Sequence, residues 1–268
     1  MRALRLAYAF VRRDLLTEAS YRANFLFGLA GGLSNILLFF FLSGVVEQAS
    51  PGLSRYRGGY FAFVLVGLAV NAFLGEALHG FARRVRQAQL VGTLEAVLAA
   101  PVSPAAVILA QSAFPLLGAS MRAGLYLVFG AALFGASLDA TGIPAAAAAL
   151  GLGVGSFAAL GILSASTTMV LKRGDPLAWV VGLLSTLLSG VYYPVEVLPR
   201  ELQTLAEFLP TTHVLRALRE ALLGGDAAAL RESLGLLVLF FVVLLPLSLA
   251  IFLWAVRRAR REGSLTHF

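Results

Sequence analysis

The 268-residue chain is 59% hydrophobic and only 13% charged, with a net charge of +7. Charged residues make up about a quarter of an ordinary soluble domain, so that class is excluded. The arginines cluster at the edges of long uncharged blocks, a pattern that orients a membrane protein and argues against nucleic-acid binding. With no cysteine, disulfides, thiolate metal sites and cysteine nucleophiles are ruled out as well.

The predicted fold is all-α, one polytopic membrane domain over residues 1–268 with six transmembrane helices. Residues 1–22 read as an amphipathic helix, with Leu4, Tyr8, Val11 and Leu15 on one side and Arg2, Arg5, Arg12 and Arg13 on another. Such a helix lies in the membrane surface with its arginines toward anionic head groups. Its apolar run LAYAFV is too short for the core of a signal peptide. The first span is Ala23 to Val46, followed by a short turn from Glu47 to Arg57 on the far side. A second span runs from Gly58 to Ala82 and carries Glu76 and His79 in its last turns.

Next comes the longest polar interval on the basic side, within residues 83–104, with the sequence RRVRQAQLVGTLEAVLAAP from Arg83 to Pro101. Gly92 breaks the chain, Thr93 can cap the next turn, and Glu95 lies where a helix dipole favours an anion. Leu94, Val97 and Leu98 then share a face, and Pro101 with Pro104 ends the element. An apolar-faced helix held in water needs a partner surface.

The third span, Ala105 to Ala136, contains Arg122. Splitting it into two spans at Arg122 would carry Lys172 and Arg173 to the outer side, so one long tilted span is preferred. The fourth runs from Ile143 to Leu171 and ends in a tight turn, Lys172 to Pro176; the fifth, Leu177 to Tyr192, is short. Residues 189–226 then hold two short amphipathic helices. Pro199 opens the first and Pro210 ends it, Thr211 or Thr212 caps the second, and Gly224-Gly225 stops it. This is the pattern of an outer re-entrant element. A sixth span, Leu234 to Val256, leads to four C-terminal arginines.

With this layout the inner segments carry fourteen basic and five acidic residues, and the outer segments six and eight. The positive-inside rule therefore places both termini in the cytoplasm. Within the membrane Arg122 and Glu76 are the two charges, Arg122 reading either as an internal strut or as part of a substrate path. Gly28 with Gly32, and Gly151, Gly155 and Ala159, offer surfaces for close helix packing or a subunit contact.

Lys172 is the one lysine, so no phosphate-cradling GxxxxGK[ST] loop exists and any ATP must be hydrolysed on another chain. His79, His213 and His267 lie on separate segments; a catalytic or metal site is not expected, and His213 reads as a capping or surface residue.

GTLEAVLAAPVSP (Gly92 to Pro104) and SGVYYPVEVLPRELQTLAEFLPTTHVLRALREALLGG (Ser189 to Gly225), with KRGDP between them, resemble the signatures of type 2 ABC exporter permeases. The resemblance implies a half-transporter in the plasma (inner) membrane that pairs with a second permease, a copy or a paralogue, and with ATP-binding subunits. ATP and Mg would be bound there and no cofactor here. It assigns Gly92, Thr93, Leu94, Glu95, Val97 and Leu98 to the ATPase-coupling helix, and it ends the outer re-entrant helices at Arg219. Tyr192, Tyr193 and Pro194 suit the aromatic belt of the outer interface or, with Pro210 and Arg219, an outer gate. Cargo would be a drug, glycolipid or other amphipathic molecule. The alternative is an ion-coupled secondary transporter, which calls for ionisable groups at mid-membrane.

Overall fold

The computed structural model describes residues 8, 10–12, 15, 16, 22–49, 58–92, 103–171 and 175–261. The regular elements among them are all helical: α1 Arg22–Ala49, α2 Gly59–Leu90, α3 Pro104–Phe134, α4 Ile143–Leu171, α5 Pro176–Leu188, α6 Arg200–Glu207, α7 Pro210–Leu222 and α8 Ala227–Arg261. Most of the predicted interfacial helix lies outside the described residues. Those of its positions that are described are helical, with Tyr8 and Leu15 exposed.

Helix is what an apolar chain must form where no water can satisfy its backbone, because each N–H and C=O then pairs within the segment. The ends are set locally. Ser103 caps α3 by accepting from the Ala106 N–H (3.2 Å), with Pro104 in the first turn. Asp175 does the same for α5 through the Ala178 N–H (3.1 Å), ahead of Pro176.

Among the described residues, five helices are long and apolar enough to cross a bilayer: Phe27–Val46, Gly59–Leu90, Pro104–Phe134, Ala140–Leu171 and Ala227–Arg261. The predicted fifth span from Leu177 to Tyr192 is not of that kind. Its helix, α5, has 13 residues, about 20 Å at 1.5 Å each against a core of about 30 Å. Gly190, at φ +82, turns the chain out of the helix first. Conversely, α2 does not stop near Ala82 but continues to Leu90. RRVRQAQL contains no glycine or proline, and two of its three arginines have partners: Arg83 with Glu76 (2.9 Å) and Arg84 with the Gln111 carbonyl of α3. Helix α3 runs unbroken through both Pro115 and Arg122, as one span.

The elements assemble around α2. Of its most apolar stretch 78% is buried, against 11% for α1 and 17% for α8. The outer helices therefore present leucine, valine and phenylalanine outward, as lipid-facing spans do. Helices α3 and α4 both lean on α2, α8 packs along α4, and α7 wedges between α2, α4 and α8. Contact with α2 is backbone-close at two glycines. A Cβ at Gly67 would lie 2.1 Å from the Val191 carbonyl oxygen, and one at Gly161 of α4 would lie 2.1 Å from that of Ala77.

Gly67→Ala should consequently lower the melting temperature in detergent, even though alanine gains about 1 kcal/mol of helix propensity over glycine. Gly75→Ala, where a Cβ meets nothing within 4 Å, serves as the control and should hold or raise it. Equal melting temperatures for the two variants would show that the Val191 turn does not press on α2.

Candidate functional site

At the end of α2 where Gly59 begins, α7 delivers Arg219 into the protein interior, only 5% exposed. Its Nη2 donates to the carbonyls of Gly190 (2.7 Å), Phe63 (3.1 Å) and Val191 (3.4 Å), and its Nε also donates to Phe63 (3.3 Å). The guanidinium lies 3.4 Å from the centre of the Phe63 ring. An arginine keeps its charge, and its planar fork suits several acceptors at once. Carbonyl dipoles and the ring face therefore replace the hydration that burial removes. One side chain thus fastens α7, the 190–191 turn and α2 together.

The other gate residues named from sequence lie in the turn and on the helix that this clamp ties to α2. Tyr192 stacks on Phe39 of α1, with ring centres 5.3 Å apart, while the Tyr193 hydroxyl donates to the Leu187 carbonyl at the end of α5. Pro194 leads into a 3₁₀ turn at Val195–Val197, and Pro210 occupies the first turn of α7. A cavity of about 130 Å³ lies beside the clamp, lined by Pro194, Glu196, Thr212, Arg216 and Arg219 among others.

The α6–α7 junction departs from the sequence reading in two respects. Leu209, and neither threonine, precedes α7 as its cap residue. The threonines point elsewhere: Thr211 Oγ1 donates to Ser185 Oγ (3.1 Å) and Thr212 Oγ1 to the Ala206 carbonyl (2.6 Å). His213 is not a surface residue. It is 1% exposed, its Nε2 lies 2.8 Å from the Glu207 carbonyl oxygen, and its ring packs 5.5 Å from that of Phe240. Sequence periodicity assigned water to a face that α8 in fact covers. Arg216 grips Glu207 in a two-pronged ion pair (2.6 and 3.2 Å). Burial pushes the Glu207 carboxyl up, but the hydrogen bond and charge of Arg216, with His213 nearby, outweigh it and leave the group below its ordinary value. The same hydrogen bond holds Arg216 above its own.

At the opposite end, α2 closes at Gly92, which has φ +73 and whose N–H donates to the Gln89 carbonyl (3.1 Å). Thr93, Leu94, Glu95, Val97 and Leu98 lie outside the described residues. Glu76 is engaged by Arg83 on its own helix, and the Arg122 guanidinium folds back along α3 toward Gly118. Nothing described brings Glu76 and Arg122 together. Asp175 forms a junction that the sequence did not disclose: Ser164 of α4 donates to it, and His79 of α2 stands 4.0 Å away. Three helices thereby meet at the cap of α5. Among the described residues no group of three histidines or acids could hold a metal ion.

The family model for ABC-2 type transporters matches residues 5–223, ending just past α7. The chain belongs to that family. No curated protein matches it. The ABC-2 membrane domain is a permease, so this is the membrane-spanning part of an ABC transporter, a multi-pass helical protein whose family works with an ATP-binding partner. Within the permease, Phe63 and Gly67 escaped the sequence reading because they act through a carbonyl, a ring face and a missing Cβ. The SGVYYP turn was the one available signal.

The permease should lose stability in acid through Glu207. A carboxyl held below its ordinary value stabilises the fold above the unfolded pKa of about 4.3 and ceases to do so as pH falls through the folded value. Glu207→Gln should therefore flatten the drop in melting temperature between about pH 5 and 3. Parallel curves for wild type and variant would contradict the pairing.

Proposed function

We propose that this chain is the permease subunit of an ATP-driven exporter, acting with a second permease and two separate ATP-binding subunits to move an amphipathic or lipid-like molecule, or a drug, out of the cell. The single observation that carries the reading is the reach of α2 combined with the family match. At 32 residues the helix is about 48 Å long, some 18 Å more than the bilayer core. It runs from the Arg219 clamp to Gly92, where the segment holding Leu94, Val97 and Leu98 begins.

In this reading that segment is the contact with the ATPase, and α2 is the rod that carries its displacement. ATP binding on the partner can shift the bundle only as far as it favours one arrangement over another. A closely packed helix answers such a bias by moving as a body. The far end of the rod is the clamp, so the 190–194 turn with Tyr192, Tyr193 and Pro194 would move with it and act as the outer gate. Helix α5 leaves Trp179, Val180, Leu183, Leu184 and Leu187 exposed along one side, a surface available to a second permease. An ion-coupled mechanism is less well supported, because Glu76 already has its partner in Arg83.

The test uses the full transporter in membranes. Leu94→Asp with Leu98→Asp should weaken capture of the ATP-binding subunit roughly tenfold or more, since a carboxylate set into an apolar contact costs about 2 kcal/mol or more. Transport should fall with it. Capture and transport at wild-type levels would overturn the assignment.

A further inference from the structure

Helices α3 and α4 follow each other in the chain and both rest on α2, yet they scarcely touch. Between them lie two apolar hollows of about 660 and 530 Å³ that share Ala147 and Leu150 as lining residues. They form one slot with α2 as its back wall in the larger half, through Val66, Ala69 and Val70. Small residues keep it open. Cβ atoms at Gly124 of α3 and Gly151 of α4 would meet nothing within 4 Å. The lining is carbon almost throughout; the Ser120 hydroxyl is turned back onto the Leu116 carbonyl (2.8 Å) and offers nothing to a visitor. Only the end near Asp139 is polar, and there the carboxylate accepts from the Thr141 N–H (2.9 Å) and hydroxyl (2.6 Å).

From this geometry we infer that the slot between α3 and α4 holds one acyl chain of a bilayer phospholipid, entering from the Asp139 side. Depth supports this occupant. Along α4 the slot runs from Ile143 to Val154, about 16 Å, close to half of the roughly 30 Å hydrocarbon core and so one leaflet deep. Each of the two hollows, about 660 and 530 Å³, falls among single small-ligand sites of about 300–1,000 Å³. Polarity agrees as well: a methylene chain asks for no hydrogen bond, and its ester and head group would emerge where the lining turns polar. The chain supplies packing that α3 and α4 do not give each other.

The experiment uses the full chain in phosphatidylcholine vesicles doped with a phosphatidylcholine whose acyl chain carries a diazirine. After irradiation, label on α3 and α4 around Leu127 and Leu150 should exceed that on the open face of α8, at Leu239 and Val243, several-fold. Gly124→Leu combined with Gly151→Leu, at positions where a Cβ has open space, places side chains into the slot and should bring that label down to the α8 level. In detergent, added phosphatidylcholine should raise the melting temperature of wild type, because a ligand bound to the native state stabilises it; the filled variant should not respond. Equal labelling of all faces, or enrichment that survives filling, would overturn the proposal. So would a copy-to-copy crosslink through Leu127→Cys in the otherwise cysteine-free chain, which would mean that a second protein occupies the slot.

Discussion

A guanidinium withdrawn from water is tolerable only where its donors are met, and the Arg219 site meets them with backbone. Three carbonyls from two separate stretches, Phe63 in α2 and Gly190 with Val191 in the turn, converge on one side chain. Each hydrogen bond to a charged group contributes about 1.5–3 kcal/mol, and losing the donor would strand buried acceptors. The stray carbonyls of an irregular turn are otherwise hard to satisfy at such depth. Arg219 is therefore what allows the chain to leave α5 early, turn, and return as α7.

From that junction the rest of the bundle follows. Because α2 is enclosed, its position is fixed by α3, α4 and α7 on different sides, and the glycine contacts at Gly67 and Gly161 leave little slack. Near the other end of α2, Arg84 donates to the Gln111 carbonyl of α3, and His79 stands 4.0 Å from Asp175 at the start of α5. A helix held at both ends and packed between them moves as one piece or not at all. This is the physical basis for assigning it the role of rod in the proposed transport cycle. The looser pair, α3 and α4, is the part of the bundle where the protein leaves room for something else.

Much of this could be read from residues alone, where the cause is local. Uncharged blocks gave the long spans, and Gly92 and Gly224 gave breaks in the chain, whereas the caps at Ser103 and Asp175 emerged only with the structure. The two signature stretches pointed to the family, and the match over residues 5–223 agrees. What escaped was non-local. The extension of α2 looked like a polar interval because its arginines were counted as loop charges, whereas Arg83 and Arg84 are satisfied along the helix and against α3. His213 looked solvated because periodicity names a polar face without saying what covers it. The partners of Arg219 are carbonyl oxygens, which every residue possesses and no sequence pattern marks.

Hydrogen exchange, read peptide by peptide over residues 189–222 in wild type and Arg219→Gln, tests the clamp most directly. If one guanidinium ties turn to rod, the amides of Val191, Tyr192 and Tyr193 and those of α7 should exchange about tenfold faster or more in the variant, the equivalent of roughly 1.4 kcal/mol. Exchange at Asn71 to His79 in the enclosed part of α2 should change far less. Unaltered protection across 189–222 would mean that the turn is held by something other than Arg219, and the account built on the clamp would fail.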